Sequence, residues 1–170
     1  MNHVAEVNAN YKKFWRDLKS GRFISMVRES AKGESISNSA DVFNVMKPLF
    51  AQQPDVEVLY CIFMDAQNKI LSIEKMFSGT LTCSAIYPRE IVKHMIRTNS
   101  SALVMVHNHP SGNPNPSSQD IQVTKKVYFA MASIDALLHD HIIIGDHLFS
   151  LSDNGHISTF KKEYIRLIHG

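Results

Sequence analysis

The stretch ALVMVHNHPSGNPNPSSQD, Ala102 to Asp120, changes character twice within a few residues. Ala102 to Val106 is a short, continuous apolar run, the pattern of a strand buried on both faces. His107 to Pro116 is dense in proline, glycine and asparagine, so the chain must turn there. From Ser117 to about Ser133 the pattern becomes helical. Leu137 to Ile144 then returns to an apolar, β-branched strand. A strand, a helix and a second strand in succession place the chain among α/β or α+β folds with a mixed sheet flanked by helices.

The flanking sequence extends this reading. Val56 to Met64 (VEVLYCIFM) is a largely buried strand. Asp65-Ala66-Gln67-Asn68 is a turn, and Ile70 to Phe77 closes a hairpin. Leu81 to Ser84 is a short strand after Gly79. Pro88 suits the first turn of a helix reaching about Thr98, with Ile91, Val92, Met95 and Ile96 as its apolar positions. Ser39 resembles an N-cap, followed by Val42, Val45, Met46 and Leu49 at helical spacing and a stop near Pro54. His147 to Leu151 is a short strand, and Thr159 to His169 a final helix. Residues 1–38 form an N-terminal helical arm and linker, and 39–170 the main domain. Phe14, Trp15 and Leu18 share one stripe of the arm among Lys12, Lys13, Arg16 and Lys19, either docking on the domain or meeting a partner. Residues 29–38 are polar and read as the linker.

Composition narrows the function classes. The 170 residues are 44% hydrophobic, enough for one packed domain and too many for a disordered chain. Eighteen basic against sixteen acidic residues leave a net charge of +2, which does not support DNA as a partner. Cys61 and Cys83 form no CxxC pair, so no thiolate zinc site arises from neighbours. No segment reads as a signal peptide or a membrane span, and the expectation is a cytoplasmic protein.

The chemistry concentrates where the first strand ends. His107 and His109 are i and i+2, so in extended chain their side chains share a face about 6.5 Å apart. Two imidazoles so placed can converge on one ion at about 2.0–2.1 Å. Asp120 lies in the first turn of the following helix, where the loop can fold it back to the pair. Two histidines and a carboxylate leave a fourth tetrahedral position open, as catalytic zinc sites do. Ser117-x-x-Asp120 also fits a helix-capping pattern, which accounts for those two residues but not for the histidines. His139-Asp140-His141 is a second His-x-His without a comparable downstream carboxylate. It reads as a strand entry with polar contacts behind the site.

His107-x-His109-Pro110, seven residues, then Ser117-x-x-Asp120, resembles the JAMM (MPN/JAB) metalloprotease motif. The RadC-like branch is the closer resemblance. It is carried by Glu57-Val58 through Ile62-Phe63-Met64-Asp65, Phe77-Ser78-Gly79-Thr80, Tyr87-Pro88-Arg89-Glu90-Ile91, His107 to Gly112 and Asp140-His141-Ile142-Ile143-Ile144-Gly145, over about residues 40–155. The resemblance implies a curved mixed sheet similar to the cytidine deaminase fold. It also implies one zinc ion per chain on His107, His109 and Asp120. An upstream glutamate acts as general base, and Glu57 matches that position ahead of Glu74 and Glu90. Ser117 would donate to the developing oxyanion, and the implied reaction is water-mediated hydrolysis of a peptide or isopeptide bond in a peptide or protein substrate. Asn108 stands where many JAMM enzymes carry Ser or Thr, as RadC-like chains commonly do. Residues 1–38, with only Gly21 and Gly33, are too short for the helix-hairpin-helix region of longer RadC-like proteins. The alternative is a DNA-repair-associated RadC-like protein acting as a binding module or nuclease.

Overall fold

The computed structural model describes residues 12–17, 20–51, 54–79 and 86–169. In chain order the elements are α1 (Arg22–Ser30), α2 (Ser39–Phe50), β1 (Val58–Met64), β2 (Ile70–Ser78), α3 (Pro88–Thr98), β3 (Ala102–Asn108), α4 (Ser118–Ala132), β4 (Leu137–Ile144), β5 (Leu148–Ser150) and α5 (His156–His169). The strands form one mixed sheet in the order β2-β1-β3-β4-β5. β1 runs antiparallel to both β2 and β3, β3 parallel to β4, and β4 antiparallel to β5.

Every residue of β1 and β3 is buried, because both strands lie inside the sheet with helices on each face. Alternation sends their side chains into two cores. Tyr60, Ile62, Val104 and Val106 pack with α1 and α2 through Val27, Val42, Met46 and Leu49. Leu59, Cys61, Phe63, Leu103 and Met105 pack with α3 and α4 through Ile91, Met95, Val123 and Val127. Each fully buried aliphatic contributes about 1.5–3 kcal/mol relative to exposure. α5 lies along α4, with Phe160 buried beside Tyr128 at 6.2 Å between rings.

A register shift interrupts the β3–β4 ladder. Leu103 pairs with Leu138 but Val104 pairs with Asp140, so His139 is an extra residue on β4. This bulge puts Leu138 and His141 on the α4 side of the sheet and turns Asp140 to the other.

Three expectations need correction. Segment 29–38 is not a free linker. Ala31 and Ile36 are buried, and the backbone of Gly33, Glu34 and Ile36 bonds that of Ile70 and Asn68 beside β2. Backbone groups pair whatever the polarity of the side chains, so composition concealed this edge. The N-cap of α2 is Asn38, whose Oδ1 accepts from Asp41 N at 3.0 Å, while Ser39 Oγ bonds Asp153. β3 runs on through His107 and Asn108, past the expected end at Val106. Leu18 of the arm's stripe and the expected strand Leu81 to Ser84 lie outside the described residues. Phe14 and Trp15 contact each other edge to face at 5.7 Å and remain largely exposed. Among the described residues no helix is long and apolar enough to cross a membrane.

Candidate metal centre

The site forms where β3 gives way to its loop. The ladder carries His107 as the last partner of Leu59 and continues beside β4 to Asn108 and Ile144. His109 is held just beyond, its N–H donating to Ile144 O at 2.8 Å. The loop then folds against the β4–β5 turn. Gly112 N donates to His109 O, and Asp146 N donates to Gly112 O at 2.7 Å. Two glycines make this approach possible. Gly112 takes a positive φ of 83°, and a Cβ on Gly145 would stand 2.2 Å from the Gly112 carbonyl oxygen. The folded loop presents the Asn113 carbonyl to His109 Nδ1 at 2.7 Å. A carbonyl only accepts, so His109 donates through Nδ1.

The same loop ends at Ser117, the N-cap of α4. Asp120 N donates to Ser117 Oγ at 3.1 Å, and Ser117 N donates back to Asp120 Oδ2 at 2.7 Å. Ser117 Oγ also donates its proton to that oxygen at 2.6 Å. The capping reading and the site reading therefore describe one arrangement. The box turns the Asp120 carboxylate toward the histidines, with Oδ1 3.3 Å from His107 Nε2 and Oδ2 3.6 Å from His109 Nε2. The two Nε2 atoms are 2.8 Å apart. Among the described residues, this trio is the cluster of His, Cys and carboxylate groups able to hold an ion, its ligand atoms all within 4.8 Å of one another. Two imidazole nitrogens and a carboxylate oxygen suit a borderline-soft divalent ion.

Burial and mutual contact shape the charges. Burial lowers the pKa of His107, helped by His141 and opposed by Asp120. His141, fully buried, is brought down to about 4 by desolvation. His109 goes the other way. The Asp120 carboxylate beside it raises its pKa against partial burial, with the Asn113 carbonyl and the charge of Glu57 adding to the rise. Burial pushes Asp120 upward, but His109, His107 and Ser117 outweigh it and hold the carboxyl well below the usual range. A proton on His109 Nε2 would compete with a cation for the same place beside Asp120.

Glu57 stands half-buried at the foot of β1, in the depression formed with Gly79, Pro110 and Ser111. Its backbone is held from both sides. Gly79 N donates to Glu57 O, and the Asn108 amide bridges its neighbours, donating to Val56 O at 2.9 Å and accepting from Val58 N at 2.7 Å. The competing glutamates are engaged elsewhere. Glu74 pairs with Arg28 and His94, and Glu90 with Arg89 and Lys93.

Two contributors escaped sequence reading. Thr124 and Asn113 carry no motif, although Thr124 sits four residues after Asp120 and so shares its helix face. His141 was expected to make polar contacts behind the site, and its Nε2 lies 2.7 Å from His107 Nδ1. His139 instead contacts Asn68 Oδ1 at 2.9 Å.

Comparison with known proteins agrees with this architecture. Residues 36–156 match the RadC-like JAB domain. A UPF0758 protein of Thiobacillus denitrificans is 36% identical over 134 residues, covering 78% of this chain and 59% of that protein. One from Coxiella burnetii is 44% identical over 110 residues, covering 63% and 49%, and one from Photobacterium profundum is 42% identical over 100 residues, covering 58% and 45%. The chain spans about three fifths of the length of the first of these relatives. With the family match spanning residues 36–156, most of this chain, and its His-x-His…Ser-x-x-Asp residues drawn together at the end of β3, the chain belongs to the RadC-like JAB domain family.

Proposed function

We propose that this protein is a zinc-dependent hydrolase of the JAMM type that cleaves a peptide or isopeptide bond with activated water. The observation that carries the reading is the convergence of His107, His109 and Asp120, with Glu57 near enough to His109 for its charge to be felt there. His107, His109 and Asp120 would hold the ion. When bound, zinc supplies a Lewis acid that polarises a carbonyl and lowers the pKa of water toward ~7.

The protein's own groups do the rest. Glu57 takes a proton from the attacking water and passes it to the leaving amine. Asn108 and Gly79 hold the backbone around Glu57, so the carboxylate stays at the edge of the site. Ser117 is the residue we assign as donor to the oxygen that gains charge; its one hydroxyl proton lies on Asp120 Oδ2 in this structure, so it would have to turn from that carboxylate to do so. Water attacks directly, and no covalent enzyme adduct forms. A peptide or protein chain is the substrate class.

The test pairs metal content with turnover. Protein purified without chelators should carry about one zinc per chain by mass spectrometry. A screen of linear and isopeptide-linked fluorogenic peptides should then give hydrolysis that Glu57→Gln lowers by about 10²–10⁴-fold while zinc is retained. A wild type that takes up no zinc, or hydrolysis unaffected by Glu57→Gln, would overturn the reading.

A further inference from the structure

Behind His107 lies a line of buried polar groups. His107 Nδ1 is 2.7 Å from His141 Nε2. His141 Nδ1 is 2.6 Å from Thr124 Oγ1, and Thr124 Oγ1 is 2.5 Å from the Asp120 carbonyl oxygen. His107, His141 and Thr124 are all 0% exposed, and Asp120 is 2% exposed. β4 reaches this position because of its bulge, which brings His141 to the α4 side of the sheet.

Proton accounting gives the line a direction. The Asp120 carbonyl can only accept, so Thr124 spends its single proton there. His141 Nδ1 faces that same hydroxyl oxygen and must therefore donate to it. A neutral imidazole carries one N–H, so His141 Nε2 is left as an acceptor. Neutrality follows from complete burial of a ring whose own hydrogen-bond partners are an imidazole and a hydroxyl, the nearby Asp140 carboxylate being bonded to the His141 backbone N–H instead. His107 must then donate through Nδ1, which leaves its Nε2 as a lone pair facing His109 and Asp120. The Asn113 carbonyl likewise holds a proton on Nδ1 of His109 from the other side of the site.

We propose that His141 and Thr124 are positioning residues of the metal centre: they lock His107 in the Nδ1–H tautomer and tie its ring to the helix that carries Asp120. The closed path runs from one ligand through two side chains to the backbone of another, so β3 and α4 cannot shift independently without breaking a buried hydrogen bond. The consequence for metal affinity rests on the reading of His107 as a ligand. The tautomer does not.

The experiment uses the full chain in two arms. In the first, 15N-histidine labelling of metal-free protein at neutral pH reads the tautomers directly, with His107 and His141 assigned by single replacements. Expected are Nδ1–H on both rings and an unchanged His107 tautomer after zinc is added. A His107 carrying its proton on Nε2, or a doubly protonated His141, overturns the proposal. In the second, zinc affinity is measured by chelator competition. Thr124→Val and His141→Leu should weaken it by about 10–100-fold. Thr124→Ser and His141→Gln, which keep a donor and an acceptor at the same places, should stay within about threefold. Equal affinity in all four overturns the positioning role. Thermal midpoints of the metal-free variants accompany these values, since a merely structural role would lower the midpoint and leave the tautomer unchanged. A wild type with the expected tautomers and no zinc affinity would refute the proposed hydrolase while leaving the lock intact.

Discussion

The chain contains two His-x-His triplets, and they end in opposite arrangements. His107 and His109 converge, Nε2 to Nε2 at 2.8 Å, with a carboxylate beside them. His139 and His141 separate, one toward Asn68 and the other beneath His107. The difference is one of backbone. The first triplet closes a regular stretch of β3, where i and i+2 share a face, and the loop beyond brings in Asp120. The second contains a bulge, so its first histidine is the unpaired residue. Its central Asp140 is buried and committed to Ser150 Oγ and the N–H of Ser152, which places it in the framework of the β4–β5 corner. A shared pattern thus yields a candidate metal trio in one place and support in the other.

The contrast is broken most directly by removing one histidine from each triplet. His109→Ala should weaken zinc binding by about 100- to 1,000-fold, the share of one ligand in a binding free energy of ~10–16 kcal/mol. His139→Ala should leave affinity within about twofold. Competition with a chromophoric chelator measures both, and equal losses would erase the distinction.

A smaller effect is expected where the loop after His109 packs on the β4–β5 turn. Gly145→Ala places a methyl group against the Gly112 carbonyl. The loop must move and take the Asn113 carbonyl away from His109. We expect a stability loss of about 1–3 kcal/mol by denaturant titration and a zinc affinity lowered by about tenfold. Unchanged affinity would show that the loop does not orient His109.

The smallest effects lie in pH dependence, where the triplets share signs in part. His107, His139 and His141 have lowered pKa values, so the unfolded chain binds more protons than the folded one below about 6.5. Their contribution is complete above that pH and is lost as the medium turns acid, down to about 4 for His141. His109 has a raised pKa, so its contribution is complete below about 6.5 and fades as pH rises through the folded value. Asp120, held low, adds stability above about 3.9 that is lost on further acidification. Denaturant titrations of metal-free protein should therefore show His109→Gln flattening the alkaline limb and His141→Gln the acid limb. The reverse assignment would contradict the charge pattern of the site. Zinc affinity should fall by about tenfold per pH unit below the His109 pKa, as one proton competes with the ion.

Much of the fold was legible because it rests on local patterns. Hydrophobic periodicity located β1, the hairpin with β2, α3 and β4, since a buried strand or an amphipathic helix repeats its apolar residues at the spacing of its own backbone. The Ser117-x-x-Asp120 spacing announced the start of α4. What escaped notice was non-local. Segment 29–38 joins the edge of β2 by backbone bonds that leave no trace in side-chain type. The bulge at His139 depends on how β4 aligns with β3, which no residue of β4 encodes by itself.

By itself, the sequence singled out His107, His109 and Asp120 as the candidate trio. Their types and spacing reflect chemistry that a strand end and a helix cap can satisfy locally. It also determined the alternation of strands and helices. Only the tertiary structure decided that the ligand atoms of this trio lie within 4.8 Å of one another and that Glu74 and Glu90 are tied up in ion pairs elsewhere. It alone placed His141 and Thr124 behind His107. These outcomes follow from strand order, register and one bulge, where residues tens of positions apart meet because two cores close on opposite faces of a single sheet.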